Sequence, residues 1–229
     1  MAKKKKIPRK KLLNEPDEFL TFSTRLLRYS LEYRTQLLYA LTAMVVLVLC
    51  IAVFRFFSNR AENQAFTLLD QSLAQYETAR KDNAPAEAFR EVSPGFQRLL
   101  QKYGGNEGGK LARLIYANIC YDSGEYKQAI ELYKNALDDF KDHPLIYQLI
   151  LSDLGYAYEQ IEDYAAAAGY FEKAATEAHP VMGGEVLFNL GQLYDKLGQL
   201  DKSTAAFQRI LADYQDSVYF QIVKERVAS

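Results

Sequence analysis

The sequence predicts an all-α chain: one apolar helix able to span a bilayer, then an α-solenoid of repeated helix pairs. Three observations predict it. Leu37 to Phe54, LLYALTAMVVLVLCIAVF, runs for eighteen residues without a charge. Beyond it, apolar residues recur at steps of three and four, and no run alternates with the period of two that a half-buried strand needs. The stretch around Leu151 also recurs around Leu187 at a fixed spacing of 36 residues, the mark of a repeat architecture.

Residues 1–16 form a basic tail, expected to be disordered. Its start, MAKKKKIPRKK, is a charge run with a proline. Attraction to anionic headgroups is one use of such a run; a plain topology signal is the simpler one. Nucleic-acid binding is not expected, because no aromatic or structured module accompanies the charges. Asn14-Glu15-Pro16-Asp17 is a helix start, a capping residue followed by proline and acids. Residues 17–36 then read as an amphipathic juxtamembrane helix, with Phe19, Phe22, Leu26, Leu27 and Leu31 along one side. It suits a membrane surface or a docking partner equally.

The span is assigned to residues 37–57. At about 1.5 Å per residue the uncharged run makes a helix of roughly 27 Å, close to the ~30 Å hydrocarbon core of a bilayer. Phe56 and Phe57 extend it, while Tyr33, Arg34, Tyr39 and Arg55 stand where interfacial anchors belong. A soluble core helix of this length keeps a polar face, whereas here Thr42 alone interrupts the apolar surface. A signal peptide has a shorter apolar core and a small-residue cleavage site. This run leaves through Phe54-Arg55-Phe56-Phe57 instead, so it is expected to be an uncleaved anchor.

Charge divides at the same place. Residues 1–34 carry ten Lys/Arg against four acids, whereas residues 61–229 hold sixteen basic and twenty-five acidic side chains. The positive-inside rule then keeps the basic end in the cytoplasm and exports the acidic part. In a bacterium that means a single-pass inner-membrane protein with a periplasmic domain. Cys50 lies in the apolar run and Cys120 on a helix well outside it, so no internal disulfide is expected.

Residues 58–85 read as a helical connector whose stripe is Phe66, Leu69, Leu73 and Tyr76, ended by Asp82-Asn83-Ala84-Pro85. Residues 86–229 hold the repeats. Leu151, Leu154, Gly155 and Tyr158 align with Leu187, Leu190, Gly191 and Tyr194. Tyr164, Ala167, Phe171 and Ala174 align with Leu200, Ser203, Phe207 and Ile210. An earlier copy, offset by 38, reads Ala117, Cys120, Gly124, Tyr126, Ala129, Tyr133 and Ala136. Gly155 and Gly191 are expected to let paired helices approach closely. Tyr133, Phe171 and Phe207 are expected to fill the space between repeats, and Pro144 and Pro180 to end the second helix of a pair. Phe96, Leu99, Leu100 and Tyr103 resemble a second helix whose first is Ala61–Lys81, and Ser217–Ala228 is expected to cap the last pair.

These positions match the tetratricopeptide pattern, a helix–turn–helix repeat of 34 residues. A basic tail, one span and about three such repeats resemble the ancillary Sec-translocon subunit family of bacterial inner-membrane proteins. The segments Phe96-Gln-Arg-Leu-Leu-Gln-Lys-Tyr103 and Phe207-Gln-Arg-Ile-Leu-Ala-Asp-Tyr214-Gln-Asp-Ser217 are similar to those of envelope repeat proteins in cell division and outer-membrane assembly. Gln215 stands where that pattern usually has proline, and the segment before the span is longer than in the translocon family. The resemblance implies a scaffold or chaperone-like accessory binding translocon subunits or exported clients. The alternative is an assembly subunit of another envelope complex for secretion, division or respiration.

Chemistry is not indicated. Gly104-Gly-Asn-Glu-Gly-Gly109-Lys110 has the spacing of a phosphate loop, but Leu111 replaces the metal-binding Ser/Thr and a helix precedes it instead of a strand; it reads as an inter-helix loop. His143 and His179 sit in equivalent loops, without Cys or carboxylate at ligand spacing. No catalytic residue, cofactor, metal or small-molecule substrate is expected, and Cys120 reads as a small core residue. What remains is a protein-binding groove. By the repeat resemblance its lining would be Leu114, Asn118, Tyr121 and Asp122, then Ser152, Tyr156, Glu159 and Gln160, then Phe188, Gln192, Asp195 and Lys196. The set is aromatic and acidic. It suits extended segments anchored on Tyr and Phe, and it equally suits a merely solvated surface.

Overall fold

The computed structural model describes residues 18–176 and 182–228, and all regular structure among them is helical. The basic tail, the Asn14–Asp17 helix start, His179 and Pro180 lie outside the described residues. The chain divides into two units, 1–59 and 60–229.

In the first unit, α1 (Glu18–Glu32) precedes α2 (Arg34–Asp82). Between them Tyr33 still donates its N–H to the Tyr29 carbonyl at 3.0 Å. No break separates the expected spanning and connecting segments, because no Gly or Pro occurs from Arg34 to Asp82. The apolar side chains from Leu37 to Phe57 are exposed. By length and composition the helix is able to cross a membrane, and none of its apolar window is buried. Thr42 turns its hydroxyl back onto the Leu38 and Tyr39 carbonyls, so that hydroxyl is satisfied within the helix.

The second unit is a row of helix pairs. The end of α2 pairs with α3 (Pro85–Tyr103), α4 (Glu107–Asp122) with α5 (Tyr126–Asp139), and α6 (Pro144–Gln160) with α7 (Tyr164–Thr176). Then α8 (Gly183–Lys196) pairs with α9 (Leu200–Asp213), and α10 (Phe220–Ala228) follows. Two apolar clusters form the core; one runs from Leu69 to Ala157 and the other from Leu151 to Val223, so both draw on α6.

The alignment at 36 and 38 residues has a direct structural counterpart at the turn inside each pair. The N–H of Glu125 bonds the Cys120 carbonyl, that of Asp163 bonds Tyr158, and that of Gln199 bonds Tyr194, at 2.8, 3.0 and 2.8 Å. This six-to-one closure is the Schellman ending of a helix, and it needs a left-handed residue just before the donor. Gly124 and Gly198 supply it with φ of 83° and 70°; Glu162 does so with φ of 63° against the steric preference of its Cβ.

Close packing explains the glycines. A Cβ on Gly155 would lie 2.5 Å from the Phe171 ring, and one on Gly191 would lie 2.5 Å from the Phe207 ring. Each ring therefore fills the seam inside its own helix pair, where the sequence placed it between repeats. The expected first pair also forms: Ala65, Leu69, Ser72 and Ala79 of α2 are buried. Phe66 of the expected stripe is partly exposed, because small side chains face the partner helices and shift the buried line by one residue.

Three local expectations change. Pro144 opens α6 and does not end α5, since its missing N–H is harmless in a first turn. Glu107 to Lys110 belong to α4, so the loop is only Gly104 to Asn106. Glu62 holds that helix start, accepting N–H bonds from Gly108 at 2.7 Å and Glu107 at 3.1 Å. Burial works against its charge, but these donors, Asn106 and Lys110 keep the Glu62 carboxyl below its ordinary range. Ser217 to Tyr219 form a turn, and the capping helix starts at Phe220.

Candidate protein-binding groove

The first helices of three successive pairs, α4, α6 and α8, share one unpacked face. Helical spacing puts Leu111, Ile115, Asn118 and Asp122 on one line of α4. The equivalent line of α6 is Leu149, Asp153, Tyr156 and Gln160, and that of α8 is Glu185, Asn189, Gln192 and Lys196. In α6 and α8 the outer two residues are exposed and the inner two half-buried; in α4 Ile115 is half-buried and the other three are exposed. Leu111 and Leu149 leave 38% and 41% of their surface to solvent.

Six of the twelve expected groove residues lie on these lines: Asn118, Asp122, Tyr156, Gln160, Gln192 and Lys196. The other six lie off these lines. Ser152 is 4% exposed and donates its hydroxyl to the Gln148 carbonyl; Leu114 is 9% exposed and belongs to the core. Tyr121 packs edge-on against Tyr126. Phe188 stacks on Tyr219, with ring centroids 4.5 Å apart. Glu159 binds Lys196 at 2.5 Å, and Asp195 pairs with Arg226 of α10. A helix-to-helix interface therefore uses residues that the repeat pattern placed in the groove.

Several of these bonds tie adjacent first helices together. The Tyr156 hydroxyl donates to Glu185 Oε1 at 2.7 Å and accepts from Asn189 Nδ2 at 2.5 Å. Within the α4–α5 pair, Tyr133 donates to Asn118 Oδ1 at 2.6 Å. Burial, with the Glu185 bond, pushes the Tyr156 phenol well above its ordinary pKa, and burial does the same to Tyr133. Both remain neutral donors at any physiological pH.

The sequence reading missed Asp153, Glu185, Asn189, Tyr219 and Arg226. Glu185 was within reach of sequence reasoning, since it stands one helical turn before Phe188. Asp153 was not, because nothing local distinguishes the open side of α6 from the side one residue over. Burial, reinforced by the Glu185 charge, pushes the Asp153 carboxyl up to about 7. Elsewhere the groups are inert: Cys120 is fully buried, and its thiol is pushed up to about 12. Among the described residues no group of His, Cys, Asp and Glu is arranged to hold a metal ion.

Comparison with known proteins bears on the fold. Residues 31–228 match the sequence profile described as a tetratricopeptide repeat-like domain. No curated protein matches the chain. A tetratricopeptide repeat protein from Parabacteroides merdae is similar in structure, with a TM-score of 0.57 and 17% identity over 70% of this chain and 58% of that one. This chain thus spans less than two thirds of that protein. BtubC from P. vanneervenii gives 0.53 and 19% identity over 71% and 68% of the two chains. MamA from AMB-1 gives 0.50 and 18% over 73% and 84%. At these identities the likeness concerns fold alone.

Proposed function

The chain belongs to the tetratricopeptide repeat-like family, a fold that serves generally as a non-catalytic interaction scaffold, and from that premise we propose a membrane-tethered protein-interaction module of the cell envelope. The observation that carries the reading is the face repeated on α4, α6 and α8, where Leu111, Leu149 and Tyr156 are left open beside polar and acidic groups. A solenoid that only needed solubility would place charged side chains there. The fully exposed apolar stretch of α2 supports the tether, because such a surface in water drives aggregation. The charge asymmetry supports export of the repeats. By the resemblance of its segments, the favoured role is a scaffold or chaperone-like accessory at the protein-export translocon, acting on translocon subunits or exported clients. A part in assembling another envelope complex is the alternative.

Photo-crosslinking in cells from Gln160 and Gln192, with partner identification, tests the role. Adducts with translocon subunits or chains in transit are expected, whereas adducts confined to another envelope complex select the alternative. A cysteine placed at Ser229 should react with an impermeant reagent before the inner membrane is lysed; reaction only afterwards reverses the orientation.

A further inference from the structure

The groove's charges do not balance. Lys196 is already held by Glu159, and Arg226 closes on Asp195. Asp122, Asp153 and Glu185, one acid on each of the three first helices, form no ion pair among the described residues. They share one field: Glu185 acts on Asp153, while Asp153 and Asp122 both act on the Tyr133 phenol. Glu185 at least accepts the Tyr156 hydroxyl. Asp153 is half-buried, yet no described donor hydrogen-bonds its carboxylate. Desolvating a carboxylate without a donor is costly, and a cation brought by a partner removes that cost. On the same face Leu111, Ile115 and Leu149 offer apolar surface toward the α4 end.

Resting on the reading of this face as a peptide groove, we propose that it takes an extended protein segment presenting a lysine or arginine beside an apolar residue. The cation sits by Asp153 and Glu185, near the Tyr156 ring, where charge and aromatic face act together. The apolar side chain lies on Leu111, Ile115 and Leu149. Charge complementarity selects this partner over an acidic or carboxylate-ended segment, which would meet three uncompensated acids. The chain's own basic run, Lys3 to Lys11, has the same charge, but the proposed span holds it on the other side of the membrane.

The test uses the full chain in neutral-detergent micelles and fluorescence anisotropy with a labelled extended peptide of alternating Leu and Lys. A matched peptide with Gln for Lys is the comparison. The Lys peptide should bind about 10-fold tighter or more, a difference of 1.4 kcal/mol. Asp153→Asn and, separately, Glu185→Gln at the exposed end should erase that difference. Glu131→Gln, on an exposed α5 surface, should leave it intact. Equal affinity for the two peptides, lost together on Leu149→Ser, overturns the cation and leaves the groove standing. No binding of either peptide overturns both. If deleting residues 2–11 dissolves a dimer in sedimentation and unmasks peptide binding, the occupant is a second copy's tail and the proposal fails.

Discussion

Residues 37–57 and 60–82 belong to one uninterrupted helix and use it in opposite ways. The first stretch is apolar all round, and none of its apolar window is buried. The second is largely polar, yet it buries Ala65, Leu69, Ser72 and Ala79 against α3 and α4 and lends Glu62 to the start of α4. Hydrophobicity therefore does not predict which half packs. Packing follows side-chain size: a line of small residues lets another backbone come close, as Gly108 does at Ala65. In the apolar half the small residues Ala40, Ala43 and Ala52 stand among bulky side chains and all are exposed, a surface that suits lipid.

The two stretches should fail independently, and the largest effect is expected on the packed side. A Cβ on Gly109 would lie 1.8 Å from the Tyr103 carbonyl oxygen, a backbone atom that cannot move aside. Gly109→Ala should cost about 3 kcal/mol or more. Thermal unfolding by circular dichroism should show that loss, while the protein still sediments with membranes after carbonate washing. The converse is Val46→Arg, near the middle of the apolar run. It should cost roughly 3 kcal/mol of insertion and release the chain from membranes, leaving the melting of the repeats unchanged. If either substitution disturbs both properties, the two halves are coupled and the contrast is wrong.

Smaller effects sharpen the packed side. Gly155→Ala pushes a methyl into the Phe171 ring and should destabilise by about 1–3 kcal/mol. Restoring part of the loss with Phe171→Leu in the same chain would confirm the seam. Asp153 makes stability depend on pH. Its carboxyl keeps its proton in the folded state up to about 7 but loses it near 3.8 when unfolded. The folded chain thus binds the extra proton between those values. Stability should fall as pH rises from about 4 to 7 and level off above. Asp153→Asn should flatten that slope and gain about 2 kcal/mol at pH 8, as read from urea unfolding at a series of pH values. Least is expected of Glu162→Gly. It relieves a left-handed φ of 63° and should stabilise by about 0.5–1 kcal/mol, a rise of a few degrees in Tm.

Much of the fold was legible because its signals are local. Gly124, Glu162 and Gly198 stand 38 and 36 residues apart, the offsets of the aligned copies, and hold the same place in the three Schellman turns. Gly155 and Gly191 face Phe171 and Phe207 at the same spacing in both copies. Half of the expected groove residues fall on the three open lines. Asn118, Tyr156 and Gln192 follow from the register, but Phe188, Glu159 and Asp195 are taken up by Tyr219, Lys196 and Arg226. Those partners lie on the next first helix, in the turn before α10 or on α10 itself, and no period relates a residue to the element that will pack beside it.

Period, helix pairing and the uncharged run are properties of neighbouring residues, set by helical geometry and by which side chains leave room for a second backbone. They could be read without coordinates. Which side of each first helix stays open depends on the angle at which the pairs stack, and that angle is a sum of small packing differences spread over the whole solenoid. A rotation of one residue moved Ser152 into the core and left Asp153 facing the groove without a donor, and the charge of the groove follows from that rotation.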